Sequence, residues 1–339
     1  MDVFQRTLLL SAITILPGVV SAGQKDVTVV GAGSTFVYPM LGRWMSEYRK
    51  IHPDLKISYE PVGSGRGIAR TLNGSVDFGA SDGPVSDVQL QRAAKRILHI
   101  PVVLGAVVPA YNLPGVPDDL RFPRQVLAGI YLGSITRWND PALVRANPGI
   151  NLPDRPISAI YRIDNSGTTF VWTDFLSKVS PEWRRRSGVR DSVTFPVGVG
   201  AFFNEGIVKE IKAHPYSIGY LQSTYAIDNH LQFGSVEDSG GRFVKADCRT
   251  ITAAAAAARM PRDFRVSITD LPAEGAYPIS SFIWLLIPLE NQDPCKRRAV
   301  VEFLTWVLTD GQRLATSKSY APLPRDVAGR ALTALSGIR

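Results

Sequence analysis

The sequence predicts an α/β chain of two lobes, one made of both chain ends and one of the middle, with a cleft between them. Three observations predict it. A strand, a Gly/Ser turn and an amphipathic helix follow one another three times, with the turns at residues 31–36, 61–67 and 162–169. The apolar run 100–108 opens into the loop-like PAYNLPG of 109–115, and another apolar strand, 282–287, follows 277–281, which reads as a crossing out and a return. The length, 339 residues, exceeds one typical domain and leaves ample core for two. The expected division is 23–107 with 278–339 for the first domain and 108–277 for the second.

The chain opens on a segment to be set aside. One basic residue in the first six, an apolar stretch at 8–20 too short to span a bilayer, and the small residues Ser21 and Ala22 make 1–22 a cleavable secretory signal peptide. No cysteine follows it to carry a lipid, so the mature chain is expected to be exported and soluble. With 45% hydrophobic and 20% charged residues the composition is globular. A formal net charge of +8 favours anionic partners, yet the 38 Lys and Arg are dispersed. Only Arg184, Arg185 and Arg186 cluster tightly, which reads as a solvated helix face, and no nucleic-acid-binding signature accompanies them. His52, His99, His214 and His230 lack metal-ligand spacing, so no metal site is expected. Cys248 and Cys295 leave pairing and free thiols both open, since only their Cα separation decides. A bridge closing that loop would add about 3 to 4 kcal/mol in the chain-entropy model.

In chain order, the β-branched run 27–30 leads into GAGSTF at 31–36. This begins like a dinucleotide fingerprint, but Phe36 stands where the third glycine belongs. A helix with Met40, Leu41, Trp44, Met45 and Tyr48 on one stripe follows and stops at His52-Pro53. Residues 55–60 alternate as a strand, and Gly63, Ser64 and Gly65 open the next helix. Residues 76–80 read as a short buried strand that leaves Asp82 at its carboxyl end, where ligands of open α/β sheets sit. Asp82 either caps a helix expected over 85–97 or accepts a hydrogen bond from an anion that still carries a proton. A helix is expected over 122–132, with Trp138 in the core beyond it.

The strand at 157–161 then leads into RIDNSGTT, 162–169. A helix start here offers unpaired N–H groups, about half a positive charge, the hydroxyls of Ser166 and Thr168, and the bare backbone of Gly167. Ordinary capping explains any one such turn. Three of them favour an anion site, because helix N-termini after parallel strands face the same edge of a sheet. The helix after Thr168 carries Val171, Phe175 and Val179 inward, 217–221 is a further strand, and 253–258 is an alanine-rich helix. Asp293 and Pro294 open a helix with Val300, Phe303, Leu304, Val307 and Leu308 on one face.

Taken together, GAGSTF at 31–36, Gly63-Ser64, DFGASD at 77–82, GIYLG at 129–133 with Trp138-Asn139-Asp140, RIDNSGT at 162–168 and Ile218-Gly219-Tyr220 resemble the periplasmic phosphate-binding protein of phosphate-specific ABC transporters. The resemblance covers about 27–324. It implies a two-domain periplasmic-binding-protein (Venus-flytrap) α/β fold with two interdomain crossings, closing on inorganic phosphate. By position it implies donors from Thr35, Phe36 and Ser64, and a cradle of Ser166, Gly167 and Thr168. It further implies a charged fork from Arg162, oriented by Asp164, and Asp82 as acceptor of the phosphate proton. A monomer in the periplasm would hand its phosphate to inner-membrane ABC permease subunits, with no cofactor, no nucleic acid and no catalysis. A site built around a ligand proton rejects an analogue lacking it by as much as ~10⁴-fold, so sulfate is expected to be excluded. Arg66 and the AFF of 201–203 depart from the small and glycine-rich residues expected there, and Arg66 is expected to face solvent. The alternatives are a secreted phosphatase with Ser166 or Thr168 as nucleophile, which lacks an evident general base, and a binding protein for another protonated oxyanion.

Overall fold

The computed structural model describes residues 27–93, 96–290 and 293–338, and the expected signal peptide lies outside them. Twelve strands are described: β1 (Val27–Gly33), β2 (Leu55–Glu60), β3 (Phe78–Ser81), β4 (Ile97–Asn112), β5 (Arg121–Phe122), β6 (Ser158–Arg162), β7 (Val199–Ala201), β8 (Ser217–Gln222), β9 (Gln232–Phe233), β10 (Ser235–Glu237), β11 (Phe243–Val244) and β12 (Ser280–Pro288). Nine form one sheet in the order β2-β1-β3-β12-β4-β8-β6-β7, with β9 also on β4, and β11-β10-β5 form a small second sheet.

The large sheet has two halves that share one strand. In the first, β1 runs parallel to β2 and β3, while β12 runs antiparallel to β3 and to Ile97–Ala106 of β4. In the second, residues Val107–Asn112 of β4 pair antiparallel with β8, and β6 runs parallel to both β8 and β7. The chain thus passes from one half to the other along a continuous, almost wholly buried strand of 16 residues.

That corrects the loop expected from Pro109 onward, because the strand continues through Asn112. Proline is tolerated here for a local reason. Its carbonyl accepts from Gly234 N–H at 3.2 Å, on the side where β12 has ended opposite Ala106 and β9 begins only opposite Ala110, so the ladder misses no donor.

A second correction concerns 85–97. Only Asp87–Arg92 is helical, capped by Ser86 in a reciprocal capping box with Gln89, and Ala93 turns extended so that Ile97 can pair with Pro288. Ser86 is the cap, so Asp82 does not have that role.

The other helices follow their patterns. Tyr38–Ile51 buries Met40, Leu41, Trp44 and Tyr48, and Pro294–Leu308 starts on the Asp293 cap. The helix Gly167–Val179 is buried on nearly every face, with Trp172 stacked on Tyr220 at 5.1 Å between ring centroids. Trp138 is fully buried and donates Nε1–H to Tyr216 O at 2.9 Å. Cys248 and Cys295 are free thiols, and Arg184, Arg185 and Arg186 lie exposed on a short helix, as does Arg66 on the helix Ser64–Leu72.

Candidate anion-binding site

The carboxyl ends of β1, β2, β3 and β6 converge, and each carries a loop that the hydrophobic pattern of its strand delivers to the same place. Thr35 and Phe36 follow β1 and Ser64 opens the helix after β2. Asp82 follows β3, and Arg162 is the last residue of β6, ahead of Ser166, Gly167 and Thr168. All eight residues expected in the site are brought together and buried.

The first half of the site is fixed by backbone ties. Ser34 N–H donates to Ala80 O at 2.9 Å, Gly63 N–H to Gly33 O at 2.9 Å, and Tyr59 OH to Ser34 O at 2.8 Å. Ser34 donates its hydroxyl to Asp82 Oδ1 and accepts Phe36 N–H at 2.9 Å. Ser281 on β12 donates to Asp82 O at 3.0 Å.

The second half is built around an ion pair. Arg162 Nε and Nη2 donate to Asp164 Oδ1 and Oδ2 at 2.7 and 2.6 Å, a two-pronged contact between a buried guanidinium and a partly buried carboxylate. This leaves Nη1 directed at Thr168 Oγ1, 3.5 Å away. Arg162 N–H donates to Tyr220 OH at 3.2 Å, and that hydroxyl also meets Thr169 Oγ1 at 2.8 Å. Ser166 caps the helix by accepting Thr169 N–H at 3.2 Å, so the capping and anion-cradle readings coincide at this residue rather than compete. The N–H groups of Gly167 and Thr168, in the first helical turn, have no intrahelical acceptor and carry the positive end of the dipole.

The two halves touch. Thr168 donates to Asp82 Oδ2 at 3.3 Å, and Gly65 N–H donates to Asn165 O at 3.0 Å. A Cβ on Gly167 would lie 2.4 Å from Ser64 Oγ and 2.6 Å from Asp82 Oδ2, so only glycine allows this approach. Asn204 and Tyr225 both reach across to Thr35.

Electrostatically, the site holds two unlike carboxyls. Burial raises the Asp82 pKa to about 7, against the pull of the Ser34 bond, the Arg162 charge and the Thr168 bond, with Asp164 adding to the rise. Burial also opposes ionisation of Asp164, but the bond and charge of Arg162 and the Phe203 N–H hold it below its ordinary value. Arg162 is therefore neutralised by its own partner, while Asp82 is poised to hold or release a proton near neutrality. A desolvated anion here would meet many neutral donors and one guanidinium prong, and Asp82 would suit an anion able to share a proton.

Sequence reasoning left Ser34, Tyr220 and Asn204 without roles. Ser34 sits beside two expected residues and was within reach of the same turn argument. Tyr220 stands in the Ile218-Gly219-Tyr220 motif but reaches the site from β8, and no local pattern marks Asn204.

The α/β fold, with its one curled sheet in two halves, is that of a two-domain periplasmic-type binding protein. The family model of the PBP superfamily domain matches residues 19–311. Over 303 residues the chain is 38% identical to the phosphate-binding protein PstS of Xylella fastidiosa (strain Temecula1), covering 88% of this chain and 82% of that one. The phosphate-binding protein PstS of Pasteurella multocida is also 38% identical, with coverage of 88% and 87%, and that of Methanocaldococcus jannaschii is 36% identical, with coverage of 94% and 89%. The chain belongs to this PstS family of phosphate-binding proteins. Among solved structures, a high-affinity periplasmic phosphate-binding protein (PfluDING) bound with phosphate matches with a TM-score of 0.73 at 21% identity, covering 89% of this chain and 92% of that one. An ABC-type phosphate transport receptor from Vibrio cholerae matches with a TM-score of 0.58 at 16% identity, covering 87% and 100%. At these identities the two structures speak to the fold.

Proposed function

We propose that this chain captures inorganic phosphate in the periplasm and delivers it to the permease subunits of an ABC uptake transporter. One observation carries the reading: Arg162, Ser64, Thr35, Phe36, Ser166, Gly167 and Thr168 converge in a buried site around Asp82, the one carboxyl there whose pKa stands near neutrality. Neutral donors and the Arg162 prong satisfy the phosphate oxygens, and Asp82 shares the phosphate proton. The protein acts as a monomer, without metal or cofactor, after removal of residues 1–22. Its lobes divide at 107/108 and 277/278 and close by a hinge at the two crossings.

Calorimetry on phosphate-stripped protein tests this. Tight one-to-one phosphate binding with little sulfate binding is expected; equal affinities for both anions, or no binding of either, would sink the proposal.

A secreted phosphatase has one observation on its side, the contact from Thr168 Oγ1 to Asp82 Oδ2. Against it, the described hydrogen-bond partners of the Ser166 and Thr168 hydroxyls are Thr169 N–H, Arg162 and Asp82, with no histidine among them to act as general base. No turnover of a chromogenic phosphate ester is expected.

A further inference from the structure

Thr35 is gripped from the opposite lobe at two points. Tyr225 OH donates to Thr35 O at 2.8 Å, and Asn204 Nδ2 donates to Thr35 Oγ1 at 2.9 Å, 169 residues away in sequence. The orientation of the Asn204 amide follows from its other partner. Gln222 N–H, which can only donate, meets Asn204 Oδ1 at 3.2 Å, so the NH₂ end must face Thr35. Both Asn204 and Thr35 are buried, with 0% and 2% of their surface exposed.

A threonine hydroxyl has one hydrogen and accepting lone pairs. With a lone pair engaged by Asn204, the hydrogen is turned away from that amide, and among the described residues none accepts it. A buried donor of this kind is retained where a ligand takes it up. Asn204 belongs to the second half of the molecule, so the contact forms only when the halves meet.

We propose that Asn204 is a positioning residue: on closure it accepts nothing from Thr35 but donates to it, and so aims the Thr35 hydroxyl hydrogen at the bound oxyanion. The inference rests on the phosphate reading of the site and adds to it a residue that does not itself touch the ligand.

A double-mutant cycle tests it, with phosphate titrated calorimetrically into the stripped full chain and thermal unfolding of each ligand-free variant recorded. Asn204→Ala alone is expected to weaken phosphate binding about tenfold, the loss of one aimed hydrogen bond. In a Thr35→Val background, which has no hydroxyl to aim, the same substitution is expected to change affinity by less than about twofold. Asn204→Asp, near-isosteric and still able to accept from Gln222, keeps the fold testable and is expected to lose at least as much as Asn204→Ala. Losses that multiply in the double variant, or wild-type affinity in Asn204→Asp, would overturn this inference alone. Absence of phosphate binding by the wild-type chain would overturn the underlying reading and this inference with it.

Discussion

The substitution Asp82→Asn separates the proton in the site from the anion. The wild-type carboxyl is buried, with a pKa raised to about 7, and is therefore uncharged below that value and charged above it. Sulfate brings no proton at these pH values and can enter only the form in which Asp82 is protonated. Above pH 7, each further unit then costs sulfate about tenfold in affinity, or about 1.4 kcal/mol, because the carboxylate must first be protonated. Phosphate escapes this cost, since its dianion still carries one proton and can donate it to the charged Asp82, so no proton has to be taken up. The variant's amide is neutral throughout and donates to either anion. Calorimetric titration of both anions into stripped protein between pH 7 and pH 9 is the assay. Wild-type sulfate affinity should fall by about a hundredfold across that range, while the variant's stays level and exceeds the wild type's at pH 9. Parallel sulfate profiles in the two proteins would refute the role given to Asp82.

Three further outcomes are expected. Gly167→Ala places a methyl within 2.6 Å of both Ser64 Oγ and Asp82 Oδ2, so closure is blocked; phosphate affinity should fall about tenfold to a hundredfold in calorimetry, with the ligand-free melting temperature little changed. Burial, and next the Arg265 charge, lower the His99 pKa from 6.5 to about 4, while His99 Nε2 accepts Val85 N–H at 3.1 Å. A lowered histidine pKa means stability present above pH 6.5 and lost as pH falls toward 4. Urea unfolding should therefore show the wild type losing about 3 kcal/mol more than His99→Gln over that window. Alkylation followed by mass spectrometry should find two free thiols, exposed Cys295 reacting before half-buried Cys248, whose pKa burial raises; a Cys248–Cys295 disulfide peptide would contradict this.

Much of this molecule is local and hence legible along the chain. Alternation and β-branching mark β1, β2 and β6, Ser166 is recognisable as a helix cap, and small residues after each strand announce loops that leave backbone donors unpaired. Where the reading failed, a distant partner overrode local preference. Pro109 stays in a strand because β12 ends and β9 begins beside it, and the helix expected at 85–97 stops early because Ile97 is claimed by Pro288.

By itself the sequence determined the α/β class and the order of strand, turn and helix, since these follow from side-chain period and turn chemistry, while the eight candidate site residues came from the resemblance its motifs carry. Only the tertiary structure decided what those residues can do. Asp82 holds a proton near neutrality because both halves of the molecule bury it, Gly167 must be bare because Ser64 and Asp82 close on it, and Thr35 is oriented by an amide 169 residues away. Desolvation and contact distance belong to the packed molecule, and no stretch of chain read alone contains them.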